Sequence, residues 1–161
     1  MSNSPCIDIL IRYLLQSGPE DWHQIALHWN WDQGNAPLWW IIQQSTCDRG
    51  TALLLYWRGG PPWYTRYATH DDVPDWARPG FDLVQTIETR YLAEGYTRQE
   101  IAYDPRNDDG MDHTVEFNHN KIRRPIPMAM TVATEGKTLI DLHWDDGLPP
   151  EVYAECDELY P

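Results

Sequence analysis

The stretch TALLLYW, residues 51–57, contains no charged residue and decides the fold of the first half of the chain. A helix that is apolar around its whole circumference is buried in a protein interior. We therefore predict a buried helix from about Asp48 to Trp57. The sequence GGPP at residues 59–62 ends this helix, because glycine and proline disfavour its continuation.

Apolar patterns on both sides of this stretch predict amphipathic helices. Ile7, Leu10 and Leu14 recur at the spacing of one helical face, and Pro19 suits the first turn of a second helix. Four prolines between residues 61 and 80 predict an extended connection there. Helices are expected at about residues 7–15, 19–29, 37–42, 48–57 and 81–93.

The apolar pattern changes from helical to alternating beyond Gly95. Alternation of apolar and polar residues is typical of strands, and it involves Ile101, Tyr103, Val115 and Phe117. These residues therefore predict short strands separated by polar turns.

The sequence MTVATEGKTLIDL, residues 130–142, has a turn signal at Glu135-Gly136 between two β-prone runs. This pattern favours a β-hairpin. Taken together, the patterns predict an α+β fold with a single domain over residues 1–161. Its helical part covers residues 5–95, and a small irregular β region of short strands and loops covers residues 96–161, with a last helix from Pro150.

The charge of the chain is concentrated at its carboxyl end. The 161 residues carry 25 acidic and 12 basic side chains, a net charge of −13, and residues 141–161 hold seven acids and no base. Such a charge repels nucleic acids and anionic membranes and attracts basic proteins. We therefore expect a basic protein as the partner, and neither nucleic acid nor a membrane.

The cysteines and the apolar runs predict a location in the cytoplasm. Cys6, Cys47 and Cys156 are odd in number and widely spaced, which suggests neither a disulfide framework nor a zinc knuckle. We expect all three to be reduced thiols. No apolar run approaches the ~20 residues that cross a bilayer, and the first residues lack the pattern of a signal peptide.

The stretch HWNWDQG, residues 28–34, has the composition of a site, but we interpret it as a corner of the fold. The sequences WDQGNAP at 31–37 and WDDGLPP at 144–150 share Trp, Asp, Gly and Pro in register. Glycine permits the positive φ of a tight turn, aspartate bonds nearby amides, and proline begins a following helix. Both copies therefore predict a turn anchored by tryptophan before a helix.

Together with CDRGTALLLYW at 47–57 and EIAYDPRNDDG at 100–110, this stretch resembles the bacterial domain-of-unknown-function family 4274. The resemblance rests on an Asn-Trp-Asp motif followed by Cys-Asp and an apolar helix, and it covers roughly residues 10–110. It implies a bacterial, cytoplasmic domain and no particular activity. The resemblance assigns its motif to Asn30, Trp31, Asp32, Cys47 and Asp48, and the turn interpretation adds Gly34 to this structural motif.

His70, His113 and His119 suggest catalytic or metal-binding patterns, but one feature of the sequence argues against each pattern. His70-Asp71 has the residue types of a helical phosphohydrolase, but Pro74 follows closely, and a proline-rich connection does not hold metal ligands rigidly. His113 and His119 would lie about 20 Å apart along a strand, too far for one metal ion. We interpret the three as separate exposed or half-exposed residues.

The sequence NDDGMDHTVE, residues 107–116, imitates part of a calcium-binding loop. Asn107, Asp109 and Glu116 fall at the third, fifth and twelfth positions, but the first position is Pro105, which has no side-chain oxygen. A solvated turn is the simpler interpretation. We therefore predict no metal, no cofactor and no catalytic residue.

These observations leave two hypotheses of function. The first is a protein-binding module, such as an immunity protein or antitoxin that neutralises a basic toxin, since complementary charge speeds capture and aromatic residues supply buried anchors. The alternative is an enzyme of unknown reaction with a site around His28, Asp32 and Asp48. The partner-binding residues predicted by the first hypothesis are Trp144, Asp145, Asp146, Asp157 and Glu158.

Overall fold

The computed structural model describes residues 4–115 and 121–160. The predicted strand residue Phe117, the calcium-loop residue Glu116 and His119 therefore lie outside the described residues. The chain forms two compact units. The first unit comprises Met1–Cys47 and Leu139–Pro161, and the second comprises Asp48–Thr138.

The described residues form helices and turns and contain no β-strand, so the fold is all-α and the predicted α+β class is wrong. The prediction of one domain over residues 1–161 stays a prediction. None of the described helices combines the length and the apolar character that a membrane crossing requires. The helices are α1 (Pro5–Gln16), α2 (Pro19–His28), α3 (Ala36–Gln43), α4 (Arg49–Arg58), α5 (Pro61–Tyr64), α6 (Arg78–Leu92) and α7 (Pro150–Asp157).

In the first unit, α1 packs against both α3 and α7. The predicted apolar face of α1 is buried through Ile7, Leu10 and Leu14. Pro5 and Pro19 stand in the first turns of α1 and α2, where the missing N–H of proline has no intrahelical partner to lose. A short 3₁₀ turn at Asp145–Gly147 packs on α2 and precedes α7.

A disulfide joins Cys6 in α1 to Cys156 in α7. The prediction of three reduced thiols is therefore wrong for this pair, while Cys47 is buried and does not take part in a disulfide. Spacing along the chain did not indicate the bond, because its two cysteines are 150 residues apart and meet only when α7 packs on α1.

In the second unit, α4 is the most buried element, and the prediction from TALLLYW is confirmed. Every residue from Gly50 to Trp57 is buried, and α4 packs against α6. The Trp57 indole N–H donates to the carbonyl of Met130 at 2.7 Å, which satisfies the polar edge of a buried ring. The helix ends at Gly59 and Gly60, as predicted.

Residues 61–80 are not the predicted extended connection. They form the short helix α5, 3₁₀ turns at His70–Asp72 and Asp75–Ala77, and the start of α6. Proline has no intrahelical donor to lose in a first helical turn, so Pro61 begins α5 without penalty. Trp63, Tyr64 and Tyr67 pack against the cluster of Val73, Ala77 and Phe81 and anchor this segment.

The predicted hairpin at residues 130–142 is wrong. Lys137 exchanges backbone hydrogen bonds with Glu100 and Ala102 across an isolated bridge instead of pairing within its own segment. Gly136 has a φ of +126°, and a Cβ there would lie 2.4 Å from the backbone of Glu100, so this close approach requires glycine. The other two bridges among the described residues, Asp48–Arg98 and Asp108–Met111, are isolated as well, so no strand results there.

Candidate functional site

The stretch HWNWDQG forms a tight corner at the end of α2. Residues Trp31–Gln33 make a 3₁₀ turn, and Gly34 has a φ of +83°. The Asn30 side chain accepts a hydrogen bond from the Asp32 N–H at 3.0 Å, so the capping group is Asn30 and the Asp32 side chain is exposed. The buried Trp29 donates its indole N–H to the Gly34 carbonyl at 2.8 Å.

The second copy of the motif, WDDG, forms the turn Asp145–Gly147. Gly147 has a φ of +76°, and a Cβ there would lie 2.6 Å from the Ile25 carbonyl and 2.9 Å from the Trp29 backbone. Glycine is therefore required, because α2 passes so close to the turn. The two related turns meet at Trp29, each with a positive-φ glycine and a following helix.

Cys47 and Asp48, the other two residues of the structural motif, are both buried. The Asp48 carboxylate caps α4 by accepting from the Gly50 N–H at 2.9 Å. It also accepts from the Arg98 guanidinium at 2.7 Å and from the backbone N–H groups of Glu100 and Ile101 at 2.8 and 3.2 Å. These bonds use both carboxylate oxygens to hold the start of α4 against the segment around Arg98.

His28, which the enzyme hypothesis placed with Asp32 and Asp48, has a different carboxylate beside it. Its Nε2 lies 2.8 Å from both oxygens of Asp141. Asp32 lies on the exposed side of the corner, and Asp48 serves as the cap of α4. The described contacts therefore give each of the three predicted residues a separate local role.

The first unit contains a groove of about 320 Å³ beside the disulfide. The amino end of α1, the corner after α2, the turn at Asp145–Gly147 and α7 contribute its walls. We call it the acidic groove. It is lined by Ser4, Cys6, Ile7, Trp29, Gln33, Asp146, Leu148, Tyr153, Cys156, Asp157 and Tyr160.

The structure brings two of the predicted partner-binding acids, Asp146 and Asp157, to the acidic groove. Asp145 immediately precedes Asp146 in the sequence, and Glu158 immediately follows Asp157. Both residues are exposed. Trp144 is half-buried, with its ring edge-on to Tyr13 at 6.4 Å, so it does not line the groove. The predicted anchor thus packs against Tyr13 of α1.

Sequence reasoning missed the aromatic residues of the acidic groove. Tyr153 and Tyr160 line it with side chains that are 43% and 65% exposed. The available signal was their helical spacing, which places four groove residues on one face of α7 and its end: Tyr153, Cys156, Asp157 and Tyr160. The sequence prediction of this helix depended on Pro150 alone and did not include that face.

The electrostatic field of the first unit is strongly negative. Its residues include eleven acids and one base, Arg12, whereas the second unit has fourteen acids and eleven bases. Arg12 forms a salt bridge with Glu155. Burial, together with the carboxylates of Asp21 and Glu151, raises the pKa of Tyr13 to about 12. A net charge of −10 therefore lies on the unit that contains the acidic groove.

A second buried carboxylate of the second unit, Asp108, is the centre of another network and is the neighbour of the predicted calcium-loop residue Asp109. The Asp108 carboxylate accepts from the Arg58 guanidinium at 2.6 and 2.7 Å, from Tyr103 at 3.0 Å and from His113 at 2.8 Å. His113 is thus tied to a buried carboxylate and is not a half-exposed strand residue. The network stabilises the loop from within.

A cluster with the geometry to hold a metal ion is also present among the described residues. His28, Asp141 and His143 place one ligand atom each within 4.8 Å of one another. His70, by contrast, approaches Asp71 through Nδ1 and Asp82 through Nε2, at 3.3 and 3.4 Å, so its two carboxylates lie on opposite sides of the ring.

The comparisons with known proteins identify a family and no relative of known activity. No curated protein matches the chain, and no solved structure does either. The model of the family described as Domain of unknown function (DUF4274) matches residues 17–92. This range includes the stretches HWNWDQG and CDRGTALLLYW, whereas EIAYDPRNDDG lies beyond it. The family named from the sequence is therefore confirmed as the match over residues 17–92.

Proposed function

We propose that this chain is a binding module for a basic protein, in the manner of an immunity protein or antitoxin that neutralises a basic toxin. The observation that carries the proposal is the acidic groove, where exposed aromatic rings and carboxylates meet on a unit with a net charge of −10. Aromatic residues are the commonest anchors of protein interfaces, and opposite charge accelerates association.

The acidic groove suits the insertion of an arginine or lysine side chain from the partner. Tyr153 and Tyr160 offer ring faces that attract a cation, and Asp146 and Asp157 offer carboxylates for charge-assisted hydrogen bonds. The volume of about 320 Å³ accommodates one or two long side chains rather than a whole helix. Asp145 and Glu158 extend the negative field around the rim.

The experiment compares two fourfold variants that remove the same charge. The test variant is Asp145→Asn, Asp146→Asn, Asp157→Asn and Glu158→Gln. The control variant changes four exposed acids of the second unit, Asp71→Asn, Glu94→Gln, Asp109→Asn and Glu135→Gln. The partner is captured from a lysate of the source organism on immobilised chain, and its association rate is then measured against salt concentration.

We expect the test variant to associate roughly tenfold more slowly at low salt and to lose most of its salt dependence, because steering by charge accounts for such factors. The control variant keeps the wild-type rate to within about a factor of two. Wild-type rates that are indifferent to salt, or equal slowing in both variants, would remove the support for a docking site at the groove.

The cytoplasm, expected from the sequence, remains the proposed place of action. The Cys6–Cys156 bond bears on this point, because disulfides persist mainly in oxidising compartments. In a reducing cytoplasm both residues would be thiols, and packing alone would hold α1 and α7 together at the groove wall.

A further inference from the structure

We propose that His28, Asp141 and His143 form a binding site for a divalent transition-metal ion of the Zn²⁺ type. The site lies in the first unit, at the carboxyl end of α2, and it is separate from the residues of the acidic groove. The inference stands on the geometry of these side chains and does not depend on the proposed partner.

The three ligand atoms lie close enough together for one ion to reach all of them after small side-chain movements. His28 Nε2 is 2.8 Å from the Asp141 oxygens, and His143 Nδ1 is 3.5 Å from Asp141 Oδ2. A tetrahedral Zn²⁺ with bonds of about 2.0–2.1 Å holds its ligands roughly 3.3–3.5 Å apart. The longest separation, within 4.8 Å, closes by a small rotation of His143, whose side chain is 79% exposed.

A buried glutamine holds the ligand-bearing segment in place. Gln24 lies one turn before His28 on α2 and is 5% exposed. Its Nε2 donates to the Ile140 carbonyl at 2.7 Å, and its Oε1 accepts from the Leu142 N–H at 3.1 Å. These two bonds bracket Asp141 and fix it opposite His28, as the supporting residues of metal sites do.

The backbone conformation of His143 brings its imidazole beside Asp141. His143 has a φ of +52°, a region that residues with a side chain rarely occupy. Its N–H donates to Asp141 Oδ1 at 2.8 Å, which places the imidazole on the same side as the carboxylate. Burial raises the pKa of Asp141, but the hydrogen bonds from His143 and His28 outweigh it and lower the pKa below its ordinary value.

The donor set selects the class of metal. Two imidazole nitrogens and one carboxylate suit Zn²⁺, Co²⁺, Ni²⁺ or Cu²⁺, whereas Ca²⁺ and Mg²⁺ prefer a shell of oxygens. Three protein ligands leave a fourth position open to water or to a donor from another molecule.

The test is a titration of the untagged full chain with Zn²⁺, and with Co²⁺ as a spectroscopic probe of coordination. His143→Gly removes one ligand and suits the positive φ, so the fold is retained, and Asp141→Asn removes the charged ligand. His70→Ala is the matched control, because His70 also lies beside two carboxylates. Thermal unfolding verifies that each variant is folded.

We expect one equivalent of Zn²⁺ per wild-type chain, a loss of roughly tenfold or more in affinity for both ligand variants, and no change in His70→Ala. Zn²⁺ should also shift the imidazole nitrogen resonances of His28 and His143 in the wild-type chain, which tests the site without any substitution. Absence of saturable binding, unaltered affinity in the two ligand variants, or unshifted resonances would overturn the proposal. None of these results bears on partner capture at the acidic groove.

Discussion

The carboxylate of Asp108 should be a major source of stability in the second unit, and Asp108→Asn is the perturbation that measures it. The side chain is 6% exposed and accepts two hydrogen bonds from Arg58, one from Tyr103 and one from His113. Burial alone would raise the pKa of Asp108, but these bonds lower it from 3.8 to about 2. An asparagine cannot replace them, because its NH₂ group would face a donor.

The magnitude follows from this pKa. Each pKa unit corresponds to about 1.4 kcal/mol, so the ionised form contributes about 2.5 kcal/mol to the free energy of unfolding. Leaving the Arg58 guanidinium without its buried partner adds to the loss, less than for a fully buried pair because Arg58 is 30% exposed. We expect Asp108→Asn to lower the free energy of unfolding by about 2–4 kcal/mol at pH 7.

The pH dependence gives a second, independent measure. Because the pKa of Asp108 is lower in the folded state, its contribution is complete above the ordinary value of 3.8 and is lost as the pH falls towards about 2. Urea unfolding, followed by tryptophan fluorescence at pH 7, 4.5 and 2.5, should therefore show the wild type and the variant converging at low pH. The control is Asp109→Asn, at an exposed neighbour with a φ of +50° that asparagine tolerates, with a change within about 0.5 kcal/mol. A stability difference that is absent at pH 7, or undiminished at pH 2.5, would refute the reasoning.

Two further predictions concern the first unit. Asn30→Ala should lower the free energy of unfolding by about 1 kcal/mol through loss of the hydrogen bond to the Asp32 N–H, whereas Asp32→Ala should change it by less than about 0.5 kcal/mol; the opposite order in denaturant melts would assign the cap to Asp32. The double variant Cys6→Ser and Cys156→Ser should lose about 2–4 kcal/mol, because the disulfide closes a loop across a separation of 150 residues. Reductant should lower the wild-type stability to the same extent, and a melting temperature indifferent to reductant would contradict this expectation.

The sequence by itself predicted those helices that are specified by residues close together in the chain. The all-apolar run of α4, the spaced leucines of α1 and the prolines at the helix starts act over one or two turns, so they indicate structure before any long-range contact forms. The positive-φ glycines of the two WDxG turns, Gly34 and Gly147, belong to the same group. The concentration of acidic residues after residue 140 was likewise visible in the sequence alone.

The conformation of the rest of the chain, and the side chains that meet at its sites, were decided only by the tertiary structure. The alternation of Ile101 and Tyr103 does reflect burial of both residues, but burial of alternate residues makes a strand only if a partner segment pairs with it, and Lys137 supplies just one bridge. The same limit applies to the sites, since Asp141 reaches His28 across 113 positions and Cys156 reaches Cys6 across 150. Such pairs form only when the helices pack against one another. Packing energy is the sum of many small contributions over the whole core, so no short-range sequence pattern predicts these pairs.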